Sequence, residues 1–186
     1  MEELIFLNAL NRIPLLGPVR IRQLLKYFGS AKNAWEAPET RWAEIREIQN
    51  IASRLVKERA AIDPEREWFR LQEMGFGLWS LDSPAYPPLL KNISRPPPLL
   101  YTFGRRPQWD QPALAIVGSR RCTFYGQEVA AQLARELAGL GFTIVSGLAL
   151  GIDTQAHRGA LQANGRTVAV LGCGLNKNYP PGNRDL

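Results

Sequence analysis

Two adjacent arginines, Arg120 and Arg121, follow Gly118 and Ser119 directly after the short apolar run "LAIV". A guanidinium offers planar, paired donors that suit phosphate or carboxylate oxygens. A glycine turn between a strand and a helix adds backbone N–H groups that also hold anions. Arginines at the start of a helix oppose its dipole and are locally costly unless an anion is shared there. "VGSRRCTFYG" therefore reads as an anion site in preference to solvated surface charge.

Two further turns carry polar side chains. In "SGLALGIDTQAH", Gly147 and Gly151 permit close backbone approach and Ser146 can donate to a phosphate. Asp153 and His157 are four residues apart, hence neighbours on one helical face. That pair suits either general-base chemistry or, as the preferred reading, a structural contact beneath the loop. In "LGCGLNKNYPPGN", Tyr179 offers a stacking face beside the charges of Lys177 and Arg184. An aromatic among basic residues suits single-stranded nucleic acid, and equally suits simple loop packing.

The elements that must position these turns are legible as period and punctuation. "LAIVG", "FTIVSG" and "TVAVLG" are short runs ending at glycine, with strands predicted near 115, 144 and 169. The helical stretches between them place Val129, Leu133, Leu137 and Leu140 on one face, and Ile152, Ala156, Ala160 and Ala163 on another. Such alternation predicts a parallel βαβαβ sheet with right-handed crossovers. Ligands of such sheets bind outside the carboxyl ends of the strands, where all three turns lie. A doubly wound sheet has further strands after such a half, so a piece of a longer protein is expected.

Upstream, residues 1–74 read as a helical domain and 75–186 as the α/β part. "EELIFLNAL" has helical spacing, and "LGPVRIRQLLKYFGS" directs Val19, Leu24, Leu25 and Phe28 to a core before a stop at Gly29. "RWAEIREIQNIASRLVKERAA" supplies more helix, and Pro64 opens another. "IPLLGPVRIRQLLKYFGS" has the outline of a helix-hairpin-helix, but Leu15 stands where the first hairpin glycine belongs, which favours a packing role over DNA reading. "FGLWSL" and "PLLYTFG" predict short strands around a proline-rich connection that no central strand could contain.

Composition narrows the function. The chain has 186 residues, 22% charged, with a net charge of +6, which suits a polyanionic partner. The bias is uneven: residues 1–63 hold ten Lys/Arg against eight Asp/Glu, and 104–186 hold nine against five. No apolar run approaches the ~20 residues of a membrane span, and the acidic N-terminus does not resemble a secretory signal. A cytoplasmic protein without membrane association is expected. Cys122 and Cys173 each follow a strand and read as a reduced pair. Neither the dinucleotide fingerprint nor a phosphate-loop lysine motif is present, and no ribose-binding acid ends the second strand.

Together, "IVGSRRCTFYG", "IVSGLALGIDTQAH" and "AVLGCGLNKNYPPGN" resemble the DNA-processing protein A (DprA/Smf) family. "DSPAYPPLL" and "PPPLLYTFG" are similar to that family's lead-in, and the N-terminus to its SAM-like domain. The resemblance implies an α/β fold: a SAM-like, helix-hairpin-helix-like bundle followed by an incomplete extended Rossmann-like sheet. It implies a non-catalytic protein without cofactor or metal that binds single-stranded DNA, protects incoming strands in natural transformation and helps load the RecA recombinase. A homodimer is implied for the full-length protein. The expected DNA contacts are Gly118, Ser119, Arg120 and Arg121 in the first turn, Ser146 and Gly147 in the second, and Lys177 in the third. Cys122 stands where many relatives have proline or another small residue, which should alter only the turn's stiffness. The alternative is a nucleotide-binding or nucleotide-hydrolysing enzyme of the lysine-decarboxylase-like group, whose Pro-Gly-Gly-x-Gly-Thr stretch is absent here.

Overall fold

The computed structural model of the chain describes residues 1–105, 111–177 and 179–186. It forms two compact units, Met1–Gly104 and Arg105–Leu186.

The first unit is mainly helical: α1 (Glu2–Arg12), α2 (Pro18–Phe28), α3 (Ala31–Glu36), α4 (Glu39–Ala43), α5 (Ala52–Ala60) and α6 (Pro64–Glu73). Its boundaries have local causes. Gly29 adopts the left-handed conformation that ends α2, at φ 79°. The Ser30 hydroxyl accepts from the Asn33 amide to start α3, and the Asp63 carboxylate caps α6 ahead of Pro64. Ile21 and Leu24 are the fully buried residues of α2, whereas Val19, expected in the core, is 40% exposed. The stretch 39–60 is broken helix, with a short 3-10 turn at Gln49–Ile51.

Two arginines brace this unit. Arg59 donates to the carbonyls of Trp35 and Ala37 at the end of α3 and lies 5.1 Å from the ring centre of Trp42. Arg20 donates to the Leu15 carbonyl (2.7 Å) and to that of Glu47 (3.1 Å), tying two turns together. Leu15, at the hairpin tip, has φ 67° without being glycine.

An antiparallel pair, β1 (Gly77–Ser80) and β2 (Leu99–Thr102), encloses the proline-rich connection and its single turn α7 (Pro88–Lys91). Leu99 joins the helical core, with Leu78 and Tyr101 packed against it. The compact unit therefore runs to Gly104, whereas the change from helical to strand pattern falls at 74/75.

The second unit holds β3 (Ala113–Ala115), α8 (Phe124–Gly139), β4 (Thr143–Ser146), α9 (Ile152–Gln162) and β5 (Thr167–Ala169). The strands are parallel in the order β3-β4-β5, with Leu114 beside Ile144 and Ile144 beside Thr167. Two successive crossovers in the same direction put both helices on one face. There Ile144 packs against Ala134, Ala138, Ala156 and Ala160. Ala115, Val145 and Val168 form the next row and point to the opposite face.

The fully buried residues of α8 are Ala130, Ala134 and Ala138; of the expected leucines, Leu137 packs against this cluster, whereas Leu133 is 48% and Leu140 76% exposed. The reason is proximity. A Cβ on Gly159 of α9 would stand 2.2 Å from the Ala131 carbonyl oxygen. Two helices that close can admit only small residues between them.

Candidate nucleic-acid interface

The carboxyl ends of β3, β4 and β5 give way to three turns. After β3, Gly118 to Arg121 form an exposed tip, where the Ser119 hydroxyl oxygen accepts from the Arg121 amide at 3.1 Å. Thr123 then caps α8, its hydroxyl accepting from the Gly126 amide at 3.1 Å. This leaves Arg120 and Arg121 projecting from a turn whose own polar groups are held locally.

The turns are tied to one another. One oxygen of Asp153 accepts from the Gly118 amide (3.3 Å) and the other from the Gly147 amide (3.0 Å). Asp153 is therefore an acceptor joining the first turn to the second. The Ile152 amide donates to the Ser119 carbonyl at 3.3 Å. A Cβ on Gly118 would meet Ile152 at 2.8 Å, so only glycine permits that approach. From the third turn, the Asn183 side-chain amide donates to the Leu148 carbonyl (2.9 Å) and to the Thr154 hydroxyl (2.8 Å). Thr154 in turn donates to the Ala149 carbonyl at 2.7 Å.

The expected site residues thus fall into distinct places. Gly118, Ser119, Arg120 and Arg121 share the exposed first turn. Gly147 sits above Asp153, its amide already engaged. Ser146 is 2% exposed and its hydroxyl donates to the Ile116 carbonyl at 2.7 Å. The proton read as available to a phosphate is taken up inside the sheet, and Ser146 serves the spacing of β3 and β4. Lys177 and Tyr179 are exposed on the third turn, while residue 178 between them lies outside the described residues.

His157 is also buried, but its partner is not the aspartate four residues before it. Its Nδ1 lies 2.6 Å from the Thr167 hydroxyl, which donates to the Ile144 carbonyl at 2.9 Å. Thr167 therefore accepts from His157, so Nδ1 carries the proton. The ring's other nitrogen is buried without a partner. Burial lowers the His157 pKa, and the nearby Asp153 charge opposes that effect. The residue supports the junction of α9 and β5 in its neutral form.

A depression of about 260 Å³ opens beside the first turn, between the N-terminal portions of α8 and α9 and the third turn. Arg120, Arg121 and Arg158 line it together with Gln127, Gln155 and Asn183. Among the described residues no carboxylate lines it. Arg158 did not stand out in the sequence, because an arginine in the second turn of a helix looks like ordinary solvated charge. Its seven-residue spacing from Gly151 was the available signal.

Among the described residues no group of His, Cys, Asp and Glu could hold a metal ion, and no helix is long and apolar enough to cross a membrane. Cys122 and Cys173 are free.

Residues 77–186 match the profile of the DNA recombination-mediator protein A family. Over 183 residues the chain is 37% identical to Protein Smf of Synechocystis sp., covering 96% of this chain and 46% of that protein. It is 40% identical to the DNA processing protein DprA of Streptococcus pneumoniae over 60% of this chain and 39% of the relative. The chain thus spans less than half the length of these curated relatives. The X-ray structure of the Streptococcus pneumoniae DprA superposes with a TM-score of 0.75 at 30% identity, covering 97% of this chain and 61% of that one. A second structure, of the Helicobacter pylori DNA processing protein A, was described for its single-stranded DNA binding mode. It gives a TM-score of 0.52 at 35% identity over 59% of this chain and 48% of that one.

Proposed function

The chain belongs to the DNA recombination-mediator protein A family, and from that premise we propose that its second unit binds the backbone of single-stranded DNA at the carboxyl edge of the sheet. The observation that carries this reading is the exposed arginine pair beside a depression that, among the described residues, is lined by arginines and no carboxylate. Clustered like charge without a counter-charge is unfavourable unless an anion completes it. Phosphate is an anion that glycine turns at helix N-termini accept, and the Helicobacter pylori relative binds single-stranded DNA.

In this reading Arg120 and Arg121 pair with phosphates and Ser119 shapes the turn beneath them. Gly118, Ser146 and Gly147 act by placing that turn, and Lys177 makes a lateral contact from the third. The proposed binding is non-catalytic, a reading supported by the engagement of Asp153 with two amides and of His157 with Thr167. The wider role is that of a cytoplasmic accessory of recombination: it shields incoming single strands, passes them to RecA, and acts as a homodimer in the longer protein.

Fluorescence anisotropy with labelled oligo-dT and a matched duplex, at two salt concentrations, tests the reading. Preferential oligo-dT binding is expected, weakening with salt by a slope of about −0.7 per phosphate neutralised. The double variant Arg120→Ala with Arg121→Ala should weaken binding and flatten that slope. Unchanged affinity and slope would leave the two arginines as surface charge. Release of base from nucleoside monophosphates would instead favour the hydrolase alternative.

A further inference from the structure

We infer that Arg158 holds a second phosphate of the same bound strand, so that single-stranded DNA leaves the sheet edge across the N-terminal turns of α8 and α9. The inference rests on the proposed single-stranded DNA site and extends it to a residue outside the three glycine turns.

Arg158 lies on α9, one and two turns after Thr154 and Gly151, and lines the depression together with Arg120 and Arg121. It is exposed, and among the described residues it has no ion pair or side-chain hydrogen bond. The nearest carboxylate on its own helix, Asp153, is turned inward and held by the amides of Gly118 and Gly147. Three arginines thus line one open depression, with no carboxylate beside them among the described residues.

The remaining lining is uncharged and combines Leu150 with polar side chains. The Gln155 side-chain amide donates to the Gln127 carbonyl oxygen at 3.4 Å across the two helices. Asn183 and Thr154 satisfy each other at 2.8 Å. These groups neither repel an anion nor compete for the arginines. A single phosphodiester carries one negative charge, so one such group at the first turn leaves two of the three positive charges unmatched. A strand that continues over the depression brings a neighbouring phosphate to Arg158.

The test is oligo-dT anisotropy over a salt series with the 186-residue chain and its variants Arg158→Ala, Arg158→Lys, Arg120→Ala and, as control, Lys26→Ala in the helical unit. Arg158→Ala should weaken binding about three- to tenfold at low salt and reduce the magnitude of the salt slope by about 0.7, as one lost phosphate contact requires. Arg158→Lys should keep the slope, and Lys26→Ala should change neither quantity. Because Arg158 is exposed, the alanine variant should melt like the unaltered chain, and its circular dichroism confirms that it is folded. If Arg120→Ala loses affinity while Arg158→Ala matches the unaltered chain in affinity and slope, the second phosphate position is overturned and the single-stranded DNA site stands. If the unaltered chain does not bind oligo-dT, both fall together.

Discussion

Gly151 and Ser119 meet backbone to backbone: a Cβ on Gly151 would stand 2.3 Å from the Ser119 carbonyl oxygen. Gly151 also adopts φ 82° and ψ −125°, a conformation closed to other residues. Gly151→Ala should therefore destabilise the second unit by about 1–3 kcal/mol from backbone strain alone. It should also push the first turn away from α9 and weaken oligo-dT binding, although it removes no charge. Denaturant unfolding and anisotropy on one preparation check this, and wild-type values in both would refute it.

Asp153 should tolerate no replacement. In Asp153→Asn one oxygen remains for a single amide, and the new NH2 faces the other N–H, leaving a buried donor without an acceptor. Loss of about 1–3 kcal/mol is expected on that account. Oligo-dT affinity should fall with it, because the first and second turns lose their common partner. A variant as stable and as tightly binding as the parent would show that Asp153 does not hold the turns.

The pH response is set partly by His157, whose pKa burial lowers. The unfolded chain takes up this proton at about pH 6.5, whereas the folded site resists it until lower pH. Its contribution is therefore complete above about pH 6.5 and is lost as the pH falls toward the folded value. Thermal melts from about pH 7.5 to 5 should show a steeper decline for the parent than for His157→Asn, which keeps a donor for Thr167 but does not titrate there. Parallel declines would exclude His157 as the source.

Tyr101 offers a contrast in the first unit. Its hydroxyl donates to the Asn8 side-chain oxygen (2.8 Å) and accepts from the Asn11 amide (3.2 Å), and Asn8 is 2% exposed. Tyr101→Phe should cost about 1–3 kcal/mol by leaving Asn8 unsatisfied. Oligo-dT affinity of the folded protein should not change, since the hydroxyl lies in the other compact unit. A lowered melting temperature with unchanged anisotropy is the expected pair of results.

What the sequence revealed follows from the range of the forces involved. β3, β4 and β5 were legible because a glycine turn ends each apolar run locally. The buried face of α8 was not, because hydropathy ranks Leu133 above Ala134 while the approach of Gly159 selects for volume. Arg120 and Arg121 announced themselves by occupying a turn that small residues usually fill. Asn183 and Arg158 did not, since each acquires its role only when segments some thirty residues apart come together. Ser146 shows the opposite error: a hydroxyl at a glycine turn looks available until the neighbouring strand supplies a carbonyl for it.

The cross-ties among the turns also bear on how the backbone exchanges with solvent. Loop amides ordinarily exchange by local fluctuation, because little beyond their own few residues holds them. Here the amides of Gly118 and Gly147 share one buried carboxylate, and Asn183 fastens the third turn onto the second. Opening either loop means releasing Asp153, and with it the start of α9. In deuterated water these two glycine amides should therefore retain their protons about as long as those of β4. A surface made of loops would thus keep its shape on the timescale of the sheet beneath it.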